Sequence, residues 1–122
     1  LTKEDAPAKV RAAVEEHHAG KLHLLVNNAG RGGRGECGDV GYAVIKETMA
    51  LNFDAQVRLT EALLPLLRQS APSSIVNVSS VAGRVARAGS GAYSASKFVP
   101  VLEPFAQRFS SQSSLRGHRI RR

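Results

Sequence analysis

The chain has 122 residues and a mass of 13.0 kDa, which is enough for one domain with one core. Apolar residues make up 43% of it and aromatics 5%, with no Trp; this excludes a disordered chain and predicts a core of Val, Leu, Ala and Ile. The formal net charge of +7 points to an anionic partner only until its distribution is read: residues 1–83 hold nine basic and nine acidic side chains, and the whole excess falls in residues 84–122.

Residues 5–19 read as an amphipathic helix, with Ala6, Val10, Ala13, Val14 and His17 at spacings of three and four. Asp5 is its expected N-cap, Pro7 falls in its first turn, and Gly20 is its expected C-cap. Leu22 to Val26 is a nearly continuous apolar run, which predicts a strand covered on both faces. Asn27-Asn28-Ala29-Gly30 follows at once, so the strand runs into a loop. Six of the eleven glycines lie between Gly30 and Gly41, among Arg31, Arg34, Glu36 and Asp39, and predict a mobile surface loop.

From about Tyr42 to Gln69 the pattern is helical, in two pieces, with Ala62, Leu63, Leu66 and Leu67 on the buried face and Pro65 forcing a bend. Ser70 to Ser73 break it. Ile75-Val76-Asn77-Val78 is a second strand, closed by Ser79-Ser80, and Ala92 to Lys97 opens another helix. Helix, strand, helix, strand, helix with buried strands predicts an α/β fold with a parallel sheet. Two strands are too few for a doubly wound sheet, so further strands are expected at one or both ends, and the opening Leu1 fits a piece of a longer chain. The expected domain is 1–109, followed by a basic, disordered tail over 110–122.

Several function classes fall away on composition. The lone cysteine, Cys37, rules out an internal disulfide and fits a reducing compartment, so the cytoplasm is expected; as a nucleophile Cys37 has no base near it in sequence. No apolar run approaches a membrane span. His17, His18, His23 and His118 share no metal-ligand spacing, so no metal site is expected. Four arginines between Arg116 and Arg122 lack interleaved aromatics, which leaves at most salt-sensitive, non-specific nucleic-acid affinity.

In open parallel α/β sheets ligands bind beyond the carboxyl ends of the strands, and both strands here end in small polar residues. Either loop alone is also what a simple turn would use. Tyr93 and Lys97 are four residues apart at the start of a helix, which puts them on one face with Cβ atoms about 5–6 Å apart. An ammonium about 4 Å from a phenol oxygen, at an effective dielectric near 20, favours the phenolate by up to about 4 kcal/mol. A hydroxyl such as that of Ser80 would then hold a substrate oxygen near Tyr93. An isolated Tyr/Lys pair at this spacing is ordinarily a solvated surface pair, and only its conjunction with the two strand-end loops favours chemistry.

Asn27-Asn28-Ala29-Gly30, Asn52 within a helix, Val76-Asn77-Val78-Ser79-Ser80-Val81-Ala82-Gly83 and Tyr93-Ser94-Ala95-Ser96-Lys97, in this order and at these intervals, resemble the short-chain dehydrogenase/reductase family over about residues 1–97. Ser80 precedes Tyr93 by thirteen residues, which suits the family's active-site serine better than Ser79 does. The resemblance implies an incomplete Rossmann-like, doubly wound parallel sheet and hydride transfer between NAD or NADP and a carbonyl or alcohol substrate. By the same resemblance Tyr93 is the general acid/base, Lys97 promotes its ionisation and binds the nicotinamide ribose, Ser80 orients the substrate oxygen, and Asn52 holds a lysine-linked water. Asn28, Ala29 and Gly30 line the cofactor side of the strand end. The family's Gly-rich phosphate turn would lie upstream of Leu1, and with it the residues choosing NAD or NADP, so weak or absent activity is expected of these 122 residues alone. Pro100 and Pro104 fall where the family's tyrosine helix continues, and with the Arg-rich end they lead to the expectation that the sequence after about Lys97 has diverged or is out of frame. The alternative is a non-catalytic piece that acts by association, through helices near 54–69 and 92–109 that pair subunits in the family.

Overall fold

The computed structural model describes residues 1–33, 35, 38–85, 87–102 and 106–109, with residues 99–102 and 106–109 described through their backbone. Helix α1 spans Ala6–His18, strand β1 Leu24–Asn27, helix α2 Gly41–Met49 and helix α3 Ala55–Gln69, with a π-helical turn at Ala50–Asp54 joining α2 to α3. Strand β2 spans Ser73–Asn77, a 3₁₀ turn Val81–Gly83, helix α4 Gly91–Leu102 and strand β3 Ala106–Phe109. Residues 110–122 lie outside the described residues, and so does the tail expected there.

The first helix starts and stops by other means than the sequence predicts. Asp5 has helical dihedrals and its carboxylate makes no cap hydrogen bond; it pairs instead with Lys9 at 2.6 Å. Pro7 at the second helical position has no N–H to offer a cap, which removes one of the two usual partners. At the other end Ala19 (φ 51°) and Gly20 (φ 71°) are both left-handed, and the Gly20 N–H returns to Val14 O at 3.1 Å.

The core is aliphatic. Leu25 of β1, Leu63, Leu66 and Leu67 of α3 and Ile75 of β2 are buried together, with Val10 and Val14 of α1 packed against them. Both α1 and α3 therefore cover the sheet face that carries Leu25 and Ile75. The opposite face of β1 is open: Leu24 is 53% and Val26 48% exposed, so the expected two-sided burial is corrected to one side. The apolar run reads as a fully buried strand, but both packed helices lie on one face.

β1 and β2 pair in parallel, Leu24 opposite Ser74 through Asn27 opposite Asn77, so both strands deliver their polar ends to the same edge. The two strands read from sequence thus pair in parallel as expected; a third, β3, pairs antiparallel with β2, Ser73 opposite Phe109 and Val76 opposite Ala106. Parallel pairing needs a crossover that carries the chain back to the strand's starting end. Only three residues separate Leu102 from Ala106, and the chain enters the sheet opposite Val76, near the end where β2 finishes.

The break in the long helical segment also falls elsewhere than expected. α3 is continuous through Pro65, where Pro65 and Glu61, whose carbonyl loses its helical donor, are both exposed to water. The interruption is the π turn, where the Ala55 N–H bonds to Ala50 O five residues back. α4 likewise runs two residues beyond Pro100. The glycine-rich loop is partly anchored: Gly33 is buried, with space for a Cβ closed by Thr48 Oγ1 at 3.0 Å, and the Gly35 N–H bonds to Gly89 O at 2.9 Å.

Candidate active site

The two parallel strands end in a buried polar cluster. Asn27, 4% exposed, donates through Nδ2 to Asn77 Oδ1 at 2.8 Å and to Thr60 Oγ1 at 3.0 Å, which ties β1, β2 and α3 at one level. Asn28 points outward and Ala29 is half-buried, its carbonyl accepting from Gln56 Nε2 at 2.9 Å. Asn52, fully buried in the π turn, accepts at Oδ1 from the Arg31 N–H (2.8 Å) and donates through Nδ2 to Arg31 O (2.9 Å) and Ser96 Oγ (2.9 Å). One amide thus holds the loop after β1 and the Tyr93 turn of α4 together.

Gly30 sits between two of the candidate residues. A Cβ there would stand 3.2 Å from Asn52 Oδ1 and 3.3 Å from Lys97 Nζ, closer than side chains ordinarily pack. The absent side chain lets the loop backbone approach a buried ammonium closely.

The exit from β2 is built against α4. Val78 continues the β1 pairing through its N–H to Asn27 O at 2.9 Å, and its carbonyl accepts from Lys97 Nζ at 3.1 Å. Ser79 Oγ donates to Lys97 O at 3.0 Å. Ser80 Oγ accepts from the Ala82 N–H at 3.2 Å and caps the 3₁₀ turn, which leaves the Ser80 hydroxyl proton uncommitted among the described residues. Gly83 is buried flush on the helix, where a Cβ would be 2.3 Å from Lys97 O and 2.7 Å from its carbonyl carbon.

Lys97 is 4% exposed, and among the described residues no carboxylate lies within ion-pair range of it. An ammonium carries three donors, and the described protein uses one of them, at Val78 O. The Tyr93 hydroxyl has no hydrogen bond among the described residues, while the Tyr93 carbonyl accepts from Ser96 Oγ at 2.8 Å. Lys97 is hydrogen-bonded to the strand exit and not to Tyr93.

The structure therefore brings Gly30, Asn52 and Lys97 into contact distance, and joins Tyr93 to Asn52 through Ser96. Ser80 lies one residue beyond the serine that touches Lys97. Asn28 belongs to the same loop but is exposed, and its side chain makes no hydrogen bond among the described residues. Chemically, the arrangement offers two hydroxyls and a buried cation whose remaining donors are uncommitted among the described residues, with the loop backbone at Gly30 close against the cation. Ser79, Gly83, Ser96 and Gln56 complete it without having been singled out by sequence. Ser79 and Ser96 flank the candidate residues directly, and that adjacency was the available signal. Among the described residues no group of three metal-ligating side chains is found, and no helix is long and apolar enough to cross a membrane.

Comparison with known proteins is consistent across sequence and fold. The family described as short chain dehydrogenase matches residues 1–116. The chain is 39% identical over 90 residues to dehydrogenase/reductase SDR family member 7B of Xenopus laevis, covering 72% of this chain and 28% of that protein. It is 36% identical over 91 residues to 3-ketodihydrosphingosine reductase of Bacteroides thetaiotaomicron, covering 73% of this chain and 34% of that protein. A short-chain dehydrogenase of Streptomyces avermitilis superposes with a TM-score of 0.76 at 35% identity, over 83% of this chain and 37% of the other. One from Shigella flexneri, solved with NADP, superposes at 0.72 and 34% identity over 79% of this chain and 40% of the other. The chain thus spans about a third of the length of these relatives. The chain belongs to the short-chain dehydrogenase family.

Proposed function

We propose that this segment carries the proton-transfer half of an oxidoreductase site, which interconverts a carbonyl and an alcohol with NAD or NADP. The observation that carries the reading is the Lys97 ammonium, buried with no carboxylate partner among the described residues and hydrogen-bonded among them to Val78 O alone, close against the loop backbone at Gly30. A charge in that position is costly unless a ligand supplies oxygen acceptors. A ribose diol fits that requirement, and Asn28, Ala29 and Gly30 form the adjoining backbone wall. The nicotinamide, when bound, gives or takes the hydride.

The remaining steps belong to this chain. The Tyr93 hydroxyl passes a proton to or from the substrate oxygen, and the free Ser80 proton donates a hydrogen bond to that same oxygen. The Asn52 amide is committed to Arg31 and Ser96 and holds the loop and the Tyr93 turn in place.

The test uses nicotinamide mononucleotide, the half of the cofactor that this reading places here, followed by amide chemical shifts. Saturable shifts at Gly30, Ser80 and Lys97 are expected at millimolar ligand and should vanish in Lys97→Met. No shift up to about 10 mM, or an unchanged response in Lys97→Met, overturns the reading.

A second reading, association with another copy, draws on Val57 of α3 (41% exposed) and Phe98 of α4 (54% exposed). We propose that these outer faces pair, and a mass that stays monomeric at high concentration would reject it. The single Cys37 fits a reducing compartment, on which we place the activity in the cytoplasm.

A further inference from the structure

We infer that Ser79 is a positioning residue for Lys97, with a task distinct from that of Ser80. The two bonds between the strand exit and Lys97 are reciprocal. Lys97 gives its ammonium to Val78 O at 3.1 Å, and Ser79 gives its hydroxyl to Lys97 O at 3.0 Å. One lysine is therefore gripped at its side-chain tip and at its carbonyl by two consecutive residues.

The grip has a fixed base. Val78 is tied to β1 through its N–H on Asn27 O at 2.9 Å, so the carbonyl that receives the ammonium is an extension of the sheet. Gly83 closes the other side, with its backbone so near Lys97 O that a Cβ would meet it at 2.3 Å. A lysine side chain is long and has many rotamers, so an ammonium set in one place needs its backbone held as well as its tip. Ser79 supplies that second hold. Because its hydroxyl proton is spent on Lys97 O, the Ser80 hydroxyl is the one left to meet a substrate.

The catalytic meaning of this assignment rests on the proposed oxidoreductase site, but the positioning itself does not. It is tested without cofactor or turnover, by competitive acylation of the five lysines of the 122-residue chain, read peptide by peptide by mass spectrometry. Lys3, Lys9, Lys21 and Lys46 are exposed and serve as internal references. Lys97 should react about tenfold or more slowly than these four, given its burial. Ser79→Ala should raise the Lys97 rate about fivefold, the equilibrium factor of one hydrogen bond, and Ser79→Thr, which keeps the hydroxyl, should restore it to within about twofold. Amide exchange at Leu63 and Leu67 in the core should not change in either variant.

Four results overturn the inference: Lys97 labelled as fast as the references in the unsubstituted chain, a Lys97 rate unmoved by Ser79→Ala, no rescue by Ser79→Thr, or core exchange that rises in step with labelling. Nicotinamide mononucleotide binding can fail while this labelling pattern holds, and the reverse, so the two readings fail separately.

Discussion

Replacing Gly83 by Ala tests how closely the 3₁₀ turn is pressed on α4. A Cβ at that position would lie 2.3 Å from Lys97 O, whereas real Cβ contacts essentially never fall below 3.0 Å, so the backbones must part by 3.0 − 2.3 = 0.7 Å or more. A movement of that size in the same direction takes Ser79 Oγ from 3.0 Å to 3.7 Å from Lys97 O, beyond hydrogen-bond range. Overpacking against backbone costs about 1–3 kcal/mol and the lost bond about 0.5–1.5 kcal/mol. The stiffer unfolded chain offsets about 0.4–1 kcal/mol, leaving a net loss of roughly 0.5–4 kcal/mol. With a urea slope of about 1–3 kcal/mol per molar, the unfolding midpoint followed by circular dichroism should fall by about 1 M. Gly91 is the matched control: no heavy atom lies within 4 Å of its added Cβ, and Gly91→Ala at the start of α4 should gain about 0.4–1 kcal/mol. A Gly83→Ala midpoint within about 0.2 M of the parent would refute the close approach as the reason for glycine.

Asn52→Ala removes three hydrogen bonds from a fully buried side chain and should cost about 3 kcal/mol in urea titrations, with faster amide exchange at Arg31. Tyr93→Phe deletes a hydroxyl with no protein partner among the described residues, so stability should stay within about 0.5 kcal/mol. In a protein that holds the whole active site, the same change should lower kcat by about 10²–10⁴. Lys97→Met exchanges a buried ammonium for an apolar side chain of similar length and should be neutral or stabilising by up to about 2 kcal/mol. A loss of more than about 1 kcal/mol in Lys97→Met would show that the cation is kept for the fold.

Local pattern was enough for the elements that define the family. Leu63, Leu66 and Leu67 recur on one helical face and are buried together, and the apolar runs at β1 and β2 end in polar residues where those strands end. What sequence misplaced depends on contacts between distant segments. Leu24 and Val26 look like a buried strand, yet their exposure is set by which face α1 and α3 cover. Pro65 is a strong local breaker, but in α3 it stands at the water-exposed surface, whereas the π turn at Asn52 has no compositional mark. Asn52 reaches partners 21 and 44 residues away, a tie that no local periodicity displays. Ser79 and Gly83 read as turn residues because their partner, the Lys97 carbonyl, arrives only when α4 packs on the strand exit.

Those same long-range ties explain why Lys97 is buried at all. A cation at 4% exposure with one hydrogen bond among the described residues is a poor choice for stability, since burying it costs more than a single neutral acceptor returns. Three independent segments nevertheless converge on it: the strand exit through Val78 and Ser79, the 3₁₀ turn through Gly83, and the loop after β1 through Gly30. Gly30 and Gly83 both give up side chains at this lysine, one bringing the loop backbone against the ammonium and the other bringing a backbone against the carbonyl. A fold selected for stability alone would discharge the cation. Keeping the charge, gripped from two ends and with two donors unused among the described residues, fits a ligand whose acceptor oxygens complete the site.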